Sequence, residues 1–232
     1  MITGASRGIG RAIALAFARE GAHVVLLART VGALEEADDE IQAAGGSSTL
    51  VPVDITDFDA LDRLGGTLYE RWGKLDILIG NAGLLGQLSP LGHIEPKVWN
   101  DVMAANVTAN WRLIRSLDPL LQKSDAGRAV FVTSGAAVNC RAFWGVYSVS
   151  KAALDALVKT YAAEVENTAV RANLFNPGPV RTGMRANAVP GEDPSTLPDP
   201  TDVAESFVPL AMPDCTENGM VYDYPTARFL KR

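Results

Sequence analysis

The chain has 232 residues, 47% of them hydrophobic and 21% charged, with a formal net charge of -6. That composition fits one globular domain with apolar mass for a sizeable core; it contains no run of 18 apolar residues to span a membrane, and no basic and apolar leader stands before the first glycines. Cys140 and Cys215 are too few for a disulfide framework, which points to a cytoplasmic protein, and the acidic balance offers no basic face for nucleic acid.

The first element is a turn rather than a strand. "MITGASRGIG" places Gly4, Gly8 and Gly10 in a loop of small residues with only Met1, Ile2 and Thr3 ahead of it. Central strands bring roughly five or six residues, so the expectation is a first strand truncated in this sequence. "RAIALAFARE" then repeats at helical spacing and stops at Gly21, and "AHVVLLA" reads as a buried strand. The alternation continues with a helix over 31–44, strand "STLVPV", a helix over 57–72 and strand "LDILIG". Next come a long helix from Pro96 to Gln122, strand "RAVFVTS", a helix from Tyr147 to Asn167 and strand "AVRANLF". Continuous apolar strands separated by helices predict an α/β fold: a Rossmann-type doubly wound parallel sheet with helices on both faces, as a single domain over 1–232. Residues 189–200, "VPGEDPSTLPDP", hold four of the 13 prolines, which suits a surface linker or a mobile lid and not a helix or central strand.

In such a sheet, ligands bind beyond the carboxyl ends of the strands. The glycines of "TGASRGIG" allow close approach of a pyrophosphate, and the following helix offers free N–H groups and the positive end of its dipole. The spacing is G-x-x-x-G-x-G and not the more common G-x-G-x-x-G. After the second strand stand Ala28 and Arg29, where folds that take the unphosphorylated dinucleotide usually place a carboxylate. Arg29, with Arg7 from the glycine loop, is read as a clamp on the 2'-phosphate of NADP(H). Asp54 and Ile55 follow the third strand; Asp54 can accept from an adenine amino group or cap the next helix, and Ile55 can pack on the ring. Asn81 and Gly83 end the fourth. Ser134 ends the fifth, and Tyr147 and Lys151 follow at i and i+4 on one helix face. A neighbouring ammonium is expected to lower the pKa of a tyrosine from ~10 and make it a usable acid and base. His23 and His93 are isolated and make no metal site.

In order and spacing, "TGASRGIG", "NAG" at 81–83, "NV" at 106–107, Ser134, "YSVSK" at 147–151 and "NPGPVRT" at 176–182 resemble the short-chain dehydrogenases and reductases, in the subgroup with subunits of about 250 residues. The likeness covers essentially the whole chain. A fainter likeness, in "NAGLLG", "KSDAG" and the stretch before Tyr147, is to the bacterial YciK-like oxidoreductases.

The resemblance implies a catalytic set of Asn106, Ser134, Tyr147 and Lys151. Tyr147 would exchange a proton with the substrate oxygen, Ser134 would hydrogen-bond that oxygen, Lys151 would tune Tyr147 and hold the nicotinamide ribose, and Asn106 would anchor a water relay. It implies cofactor contacts from Gly4, Ser6, Arg7, Gly8, Ile9, Gly10, Arg29, Asp54, Ile55, Asn81, Ala82, Gly83, Tyr147 and Lys151. Pro177, Gly178, Val180 and Thr182 would complete the nicotinamide wall. Leu84, Leu85, Phe143, Trp144 and Met184 fall near pocket positions and are equally compatible with core or subunit interface. The stretch from Met184 to Pro200 falls where the family has a mobile substrate loop. The implied function is NADP(H)-dependent hydride transfer between nicotinamide and a small carbonyl or alcohol, by a homodimer or homotetramer. A non-catalytic NADP(H) sensor or structural subunit is the rival, and it has no need of Ser134, Tyr147 and Lys151 together.

Overall fold

The computed structural model describes residues 1–231 and forms one eight-stranded sheet in the order β3-β2-β1-β4-β5-β6-β7-β8. Its strands are β1 (Ile2–Thr3), β2 (His23–Ala28), β3 (Ser47–Pro52), β4 (Ile77–Gly80), β5 (Arg128–Val132), β6 (Arg171–Asn176), β7 (Val221–Asp223) and β8 (Arg228–Leu230). All pairings from β3 across to β7 are parallel, and β8 closes the edge antiparallel to β7. The order reverses between β1 and β4, which is where a doubly wound sheet opens a crevice at its carboxyl edge.

The helices divide between the two faces. On one lie α3 (Phe58–Trp72), α5 (Ala109–Leu121) and α7 (Gly145–Glu164), which meet the sheet through Leu61, Leu64, Leu113, Leu117, Leu154 and Val158. On the other lie α1 (Gly8–Arg19), α2 (Val31–Ala43), α9 (Pro200–Glu205) and α10 (Phe207–Ala211), with Ile13, Phe17, Leu34, Ile41, Val203 and Phe207 at the contact. β5 shows why its sequence is apolar without alternation. Ala129 and Phe131 point into the first cluster and Val130 into the second, so both faces of the strand are buried.

Local chemistry sets the ends of these elements. α1 stops at Gly21, whose φ of +85° lets its own N–H reach Ala18 and the next residue's N–H reach Phe17, which caps the last carbonyls. α3 starts on Asp57, whose side chain accepts from the Ala60 N–H. Three further short helices complete the chain: α4 (Pro96–Met103), α6 (Ala136–Asn139) and α8 (Gly183–Ala188).

Two sequence expectations change. Gly8 and Gly10 lie inside the first turn of α1 and not in a loop before it. The helix expected over 96–122 is α4 and α5 joined by a π-helical segment, Ala104–Thr108. The C-terminal α9, α10, β7 and β8 were not legible, being three to six residues long. β1 contributes two residues, yet it sits in the middle of the sheet between β2 and β4, with Ile2 fully buried.

Candidate active site

The crevice is built first by the turn after β1. Thr3 is fully buried, and its Oγ1 accepts from the N–H groups of Asn81 and Ala82, both at 3.0 Å. Asn81 answers with its Nδ2, donating to the carbonyl of Thr3 at 2.9 Å and that of Gly4 at 3.3 Å. These bonds lock the "NAG" loop against the glycine turn. Gly4 and Gly8 have φ of +65° and +56°, and a Cβ on Gly10 would lie 2.3 Å from the Gly4 carbonyl oxygen. Only glycine fits there. Arg7 is the N-cap of α1 and makes no side-chain capping bond, so the first N–H groups of the helix face the crevice without a side-chain cap. A helix N-terminus presented through glycines is the donor set that a pyrophosphate requires. The residues present therefore fit a dinucleotide.

Arg7 and Arg29 are both exposed at this edge. Arg29 lies just beyond β2, and its Nη1 donates to Asp54 Oδ2 at 3.4 Å. Asp54 Oδ1 accepts from both the N–H and the hydroxyl of Thr56, at 2.8 and 2.7 Å. Burial pushes the Asp54 carboxyl up, but the Thr56 bonds and Arg29 outweigh it and hold the group below the usual carboxylate range. Expected separately, as phosphate clamp and adenine acceptor, the two residues are paired with each other. An exposed pair at that distance is worth about 0–1 kcal/mol, so a phosphate dianion can outcompete it for the guanidinium.

On the other side of the switch point, Ser134 follows β5 and faces α7. Its hydroxyl shares a hydrogen bond with the Tyr147 phenol. Burial nevertheless raises the Tyr147 pKa above its ordinary value. This corrects the expectation that Lys151 depresses it. The Lys151 ammonium is itself buried, its Nζ donates to the Val132 carbonyl at 2.7 Å and stands 5.7 Å from the centroid of the Tyr147 ring, and desolvation lowers its pKa to about 8.

Asn106 lies in the π segment with no exposed surface. Its Oδ1 accepts from the Leu84 N–H at 2.7 Å, and its Nδ2 donates to the Leu84 carbonyl and to Ser150 Oγ, both at 2.9 Å. The side chain is thus taken up in tying the 81–84 loop to α7. These bonds are made from the segment where the helix widens to π geometry.

The wall after β6 hangs on a residue the sequence reading quoted without giving it a role. Asn176 Oδ1 accepts from the N–H of Gly135 at 3.0 Å and that of Gly178 at 3.3 Å, while its Nδ2 donates to the buried Asp223 at 2.7 Å. Asp223 in turn accepts from Thr226 Oγ1 at 2.8 Å. One amide thereby joins the loop after Ser134, the Pro177–Gly178 turn and the C-terminal strand pair. Thr182 caps α8, accepting from Arg185 N, and its Cγ2 would stand 3.5 Å from a Cβ on Gly8, which brings the two ends of the crevice together.

Two expected cofactor contacts also pack on the core. Val180 is buried in the α1-side cluster, and Ile55 packs against the α3-side cluster. Of the pocket positions, Trp144 packs edge-on against Tyr147 with ring centroids 6.0 Å apart, and Phe143, Leu84 and Met184 are exposed. The stretch beyond β6 is held by Arg181 to Asp199 and by a two-pronged pair from Arg185 to Glu192 at 2.5 and 2.6 Å.

Comparison with known proteins agrees with this fold. The model of the short chain dehydrogenase family matches residues 1–193. The oxidoreductase YciK of Escherichia coli (strain K12) is 37% identical over 232 residues, covering 98% of this chain and 92% of that protein. The sepiapterin reductase of Chlorobaculum tepidum is 33% identical over 215 residues, covering 90% and 87%. Among solved structures, a short chain dehydrogenase from Shigella flexneri complexed with NADP superimposes with a TM-score of 0.92 at 37% identity, covering 97% of this chain and 95% of that one. Another, from Escherichia coli CFT073 and complexed with NADPH, gives 0.90 at 37%, covering 96% and 94%. On its sheet order, its glycine turn and these likenesses, the chain belongs to the short-chain dehydrogenase family of oxidoreductases.

Proposed function

We propose that the chain is an NADP(H)-dependent oxidoreductase that transfers hydride between nicotinamide and a small carbonyl or alcohol substrate. The observation that carries this reading is the Ser134–Tyr147 hydrogen bond, with Lys151 one turn away, facing the glycine turn across the crevice. Two structural neighbours bearing NADP or NADPH support the choice of cofactor.

When bound, the nicotinamide supplies or accepts the hydride. The protein's own work is positioning and proton handling. Gly4, Gly8 and the N-terminus of α1 would hold the pyrophosphate, and Arg7 and Arg29 would hold the 2'-phosphate, in competition with Asp54 for Arg29. Pro177, Gly178, Val180 and Thr182 would form the wall beside the nicotinamide, and Lys151 would hold its ribose. Ser134 hydrogen-bonds the substrate oxygen where charge develops, and Tyr147 donates the proton in reduction or accepts it in oxidation. Burial keeps Tyr147 protonated, which suits a donor. Asn106 fixes the 81–84 loop that borders the same space. The 184–200 stretch serves as a lid, held in the present arrangement by Arg181–Asp199 and Arg185–Glu192.

The test is a paired titration with NADPH and NADH, followed by a panel of carbonyls monitored by loss of NADPH absorbance. NADPH is expected to bind at least about tenfold more tightly, and Tyr147→Phe to lower turnover by about 10²–10⁴ with NADPH binding unchanged. A preference for NADH, or undiminished turnover in Tyr147→Phe, overturns the reading.

A further inference from the structure

α7 carries three ionisable side chains on successive turns of one face: Tyr147, Lys151 and Asp155, at i, i+4 and i+8. Three consecutive residues at the end of β5 meet them. The Val132 carbonyl accepts from Lys151 Nζ at 2.7 Å, the Thr133 hydroxyl donates to Asp155 Oδ1, and Ser134 bonds Tyr147. Thr133, Lys151 and Asp155 are all buried, at 1%, 4% and 6% exposure. Asp155 therefore sits in the same dry interior as the catalytic pair, and the mechanism so far gives it nothing to do.

A buried carboxylate is costly unless a cation or several donors compensate it. Lys151, one turn away, is a buried cation with the matching need, since its Nζ has a neutral carbonyl as acceptor. The other groups around Lys151 do not supply a counter-charge. From β5 come Val132 and Thr133, and from the π segment Asn106. The loop after β4 brings Gly83, where a Cβ would lie 3.6 Å from Nζ, and α7 itself brings the Tyr147 ring. Asp155 is the carboxylate that acts on Lys151 among the described residues, and it opposes the desolvation. Lys159, the next cation along α7, stands at i+4 from Asp155 on the side away from Lys151, so the carboxylate lies between the two lysines.

We propose that Asp155, clamped by Thr133, is a positioning residue for Lys151: it is the buried counter-charge that keeps the lysine an ammonium within the folded site. Thr133 lies between the strand residues that hold Lys151 and Tyr147, so its clamp also keeps α7 in register with the strand end. The consequence for the reaction rests on the proposed roles of Tyr147 and Lys151, but the ionisation of Lys151 does not, and it can be read on the protein alone.

The chain has six lysines, at 74, 97, 123, 151, 159 and 231, so NMR of 13Cε-lysine-labelled protein is simple to read, and the Lys151 signal is identified by its loss in Lys151→Met. In the wild type it should titrate near 8. In Asp155→Asn it is expected to fall by about one pH unit, because removing the carboxylate favours the neutral amine. Asp155→Glu keeps the charge and is expected to stay within about half a unit of wild type. The alkaline limb of kcat/KM for carbonyl reduction should move down with the Asn variant. A folded Asp155→Asn protein with an unmoved Lys151 overturns the proposal. So does Asp155→Glu falling by a full unit, and that variant decides alone if Asp155→Asn does not fold. An unmoved Lys151 in an enzyme that turns over removes this pair and leaves the reductase reading intact. A shifted Lys151 in a protein that reduces nothing does the reverse.

Discussion

Burial acts on Tyr147 and Lys151 in opposite directions on the pH scale and in the same direction chemically, because it favours the neutral form of both. The phenol is pushed up, and Ser134 only partly offsets the shift; the ammonium is pushed down to about 8. Tyr147 therefore holds its proton across the physiological range, as a donor to a carbonyl should, while Lys151 is the group that titrates near working pH. The ammonium is present below about 8 and lost above it. For carbonyl reduction, kcat/KM is thus expected to be level up to about pH 7 and to fall roughly tenfold per unit well above the Lys151 value. The measurement is a pH profile of kcat/KM with NADPH, since that ratio reports ionisations of the free enzyme. A profile still level at pH 10 would remove Lys151 ionisation from the rate.

Between elements, the most consequential contact is the Asn176 amide. Asp223 can only accept, so it fixes Nδ2 toward itself and leaves Oδ1 facing the N–H groups of Gly135 and Gly178. Asp223→Asn removes that instruction, because an amide offers both a donor and an acceptor. The expected result is a loss of about 1–3 kcal/mol in stability, read by denaturant unfolding, together with lower turnover from a misplaced Ser134 loop. Unchanged stability and turnover would mean that the strand pair β7–β8 does not support the site. Most of the crevice was legible in the sequence because it lies where apolar runs end or on a helix of clear spacing: the glycine turn, Arg29, Asp54, Asn81 and Ser134 stand just beyond strands, and Tyr147 and Lys151 stand one turn apart in α7. What was not legible depends on contacts between distant segments. Asn176 gains its role from Asp223, 47 residues on, and Asp155 from Thr133, 22 residues back. The π segment is hidden because one extra residue in a helical turn barely disturbs an apolar pattern. The core packing of Val180 and Ile55 was not legible either, because a position beyond a strand end does not say which way an apolar side chain turns. β7 and β8, three residues each, are too short for any periodicity to show.

At the scale of the molecule, the crevice is assembled from segments spread between Gly4 and Thr182, and no single unit of the fold contains it. Thr3 and Asn81 join β1 to β4, Asn106 joins the 81–84 loop to α7, and Asn176 joins β5 to β6 and β7. A dinucleotide lying across these joints meets its full set of contacts only in the native chain. Binding should therefore stabilise the whole fold by mass action, by about 2.7 kcal/mol at one hundred times Kd. For a chain of this length that corresponds to a Tm rise of about 5–10 °C. NADPH is expected to give that rise, and NADH at the same concentration a distinctly smaller one, in a thermal melt of the protein without substrate. Arg29→Ala should bring the NADPH shift down toward the NADH value while lowering the ligand-free Tm by no more than about 4 °C, because the exposed Arg29–Asp54 pair adds at most about 1 kcal/mol to stability. If the two nucleotides shift the wild type equally, the arginines at the carboxyl edge do not read the 2'-phosphate. In that case Arg29 is simply the surface partner of Asp54, and the selection of cofactor has to come from elsewhere along the crevice.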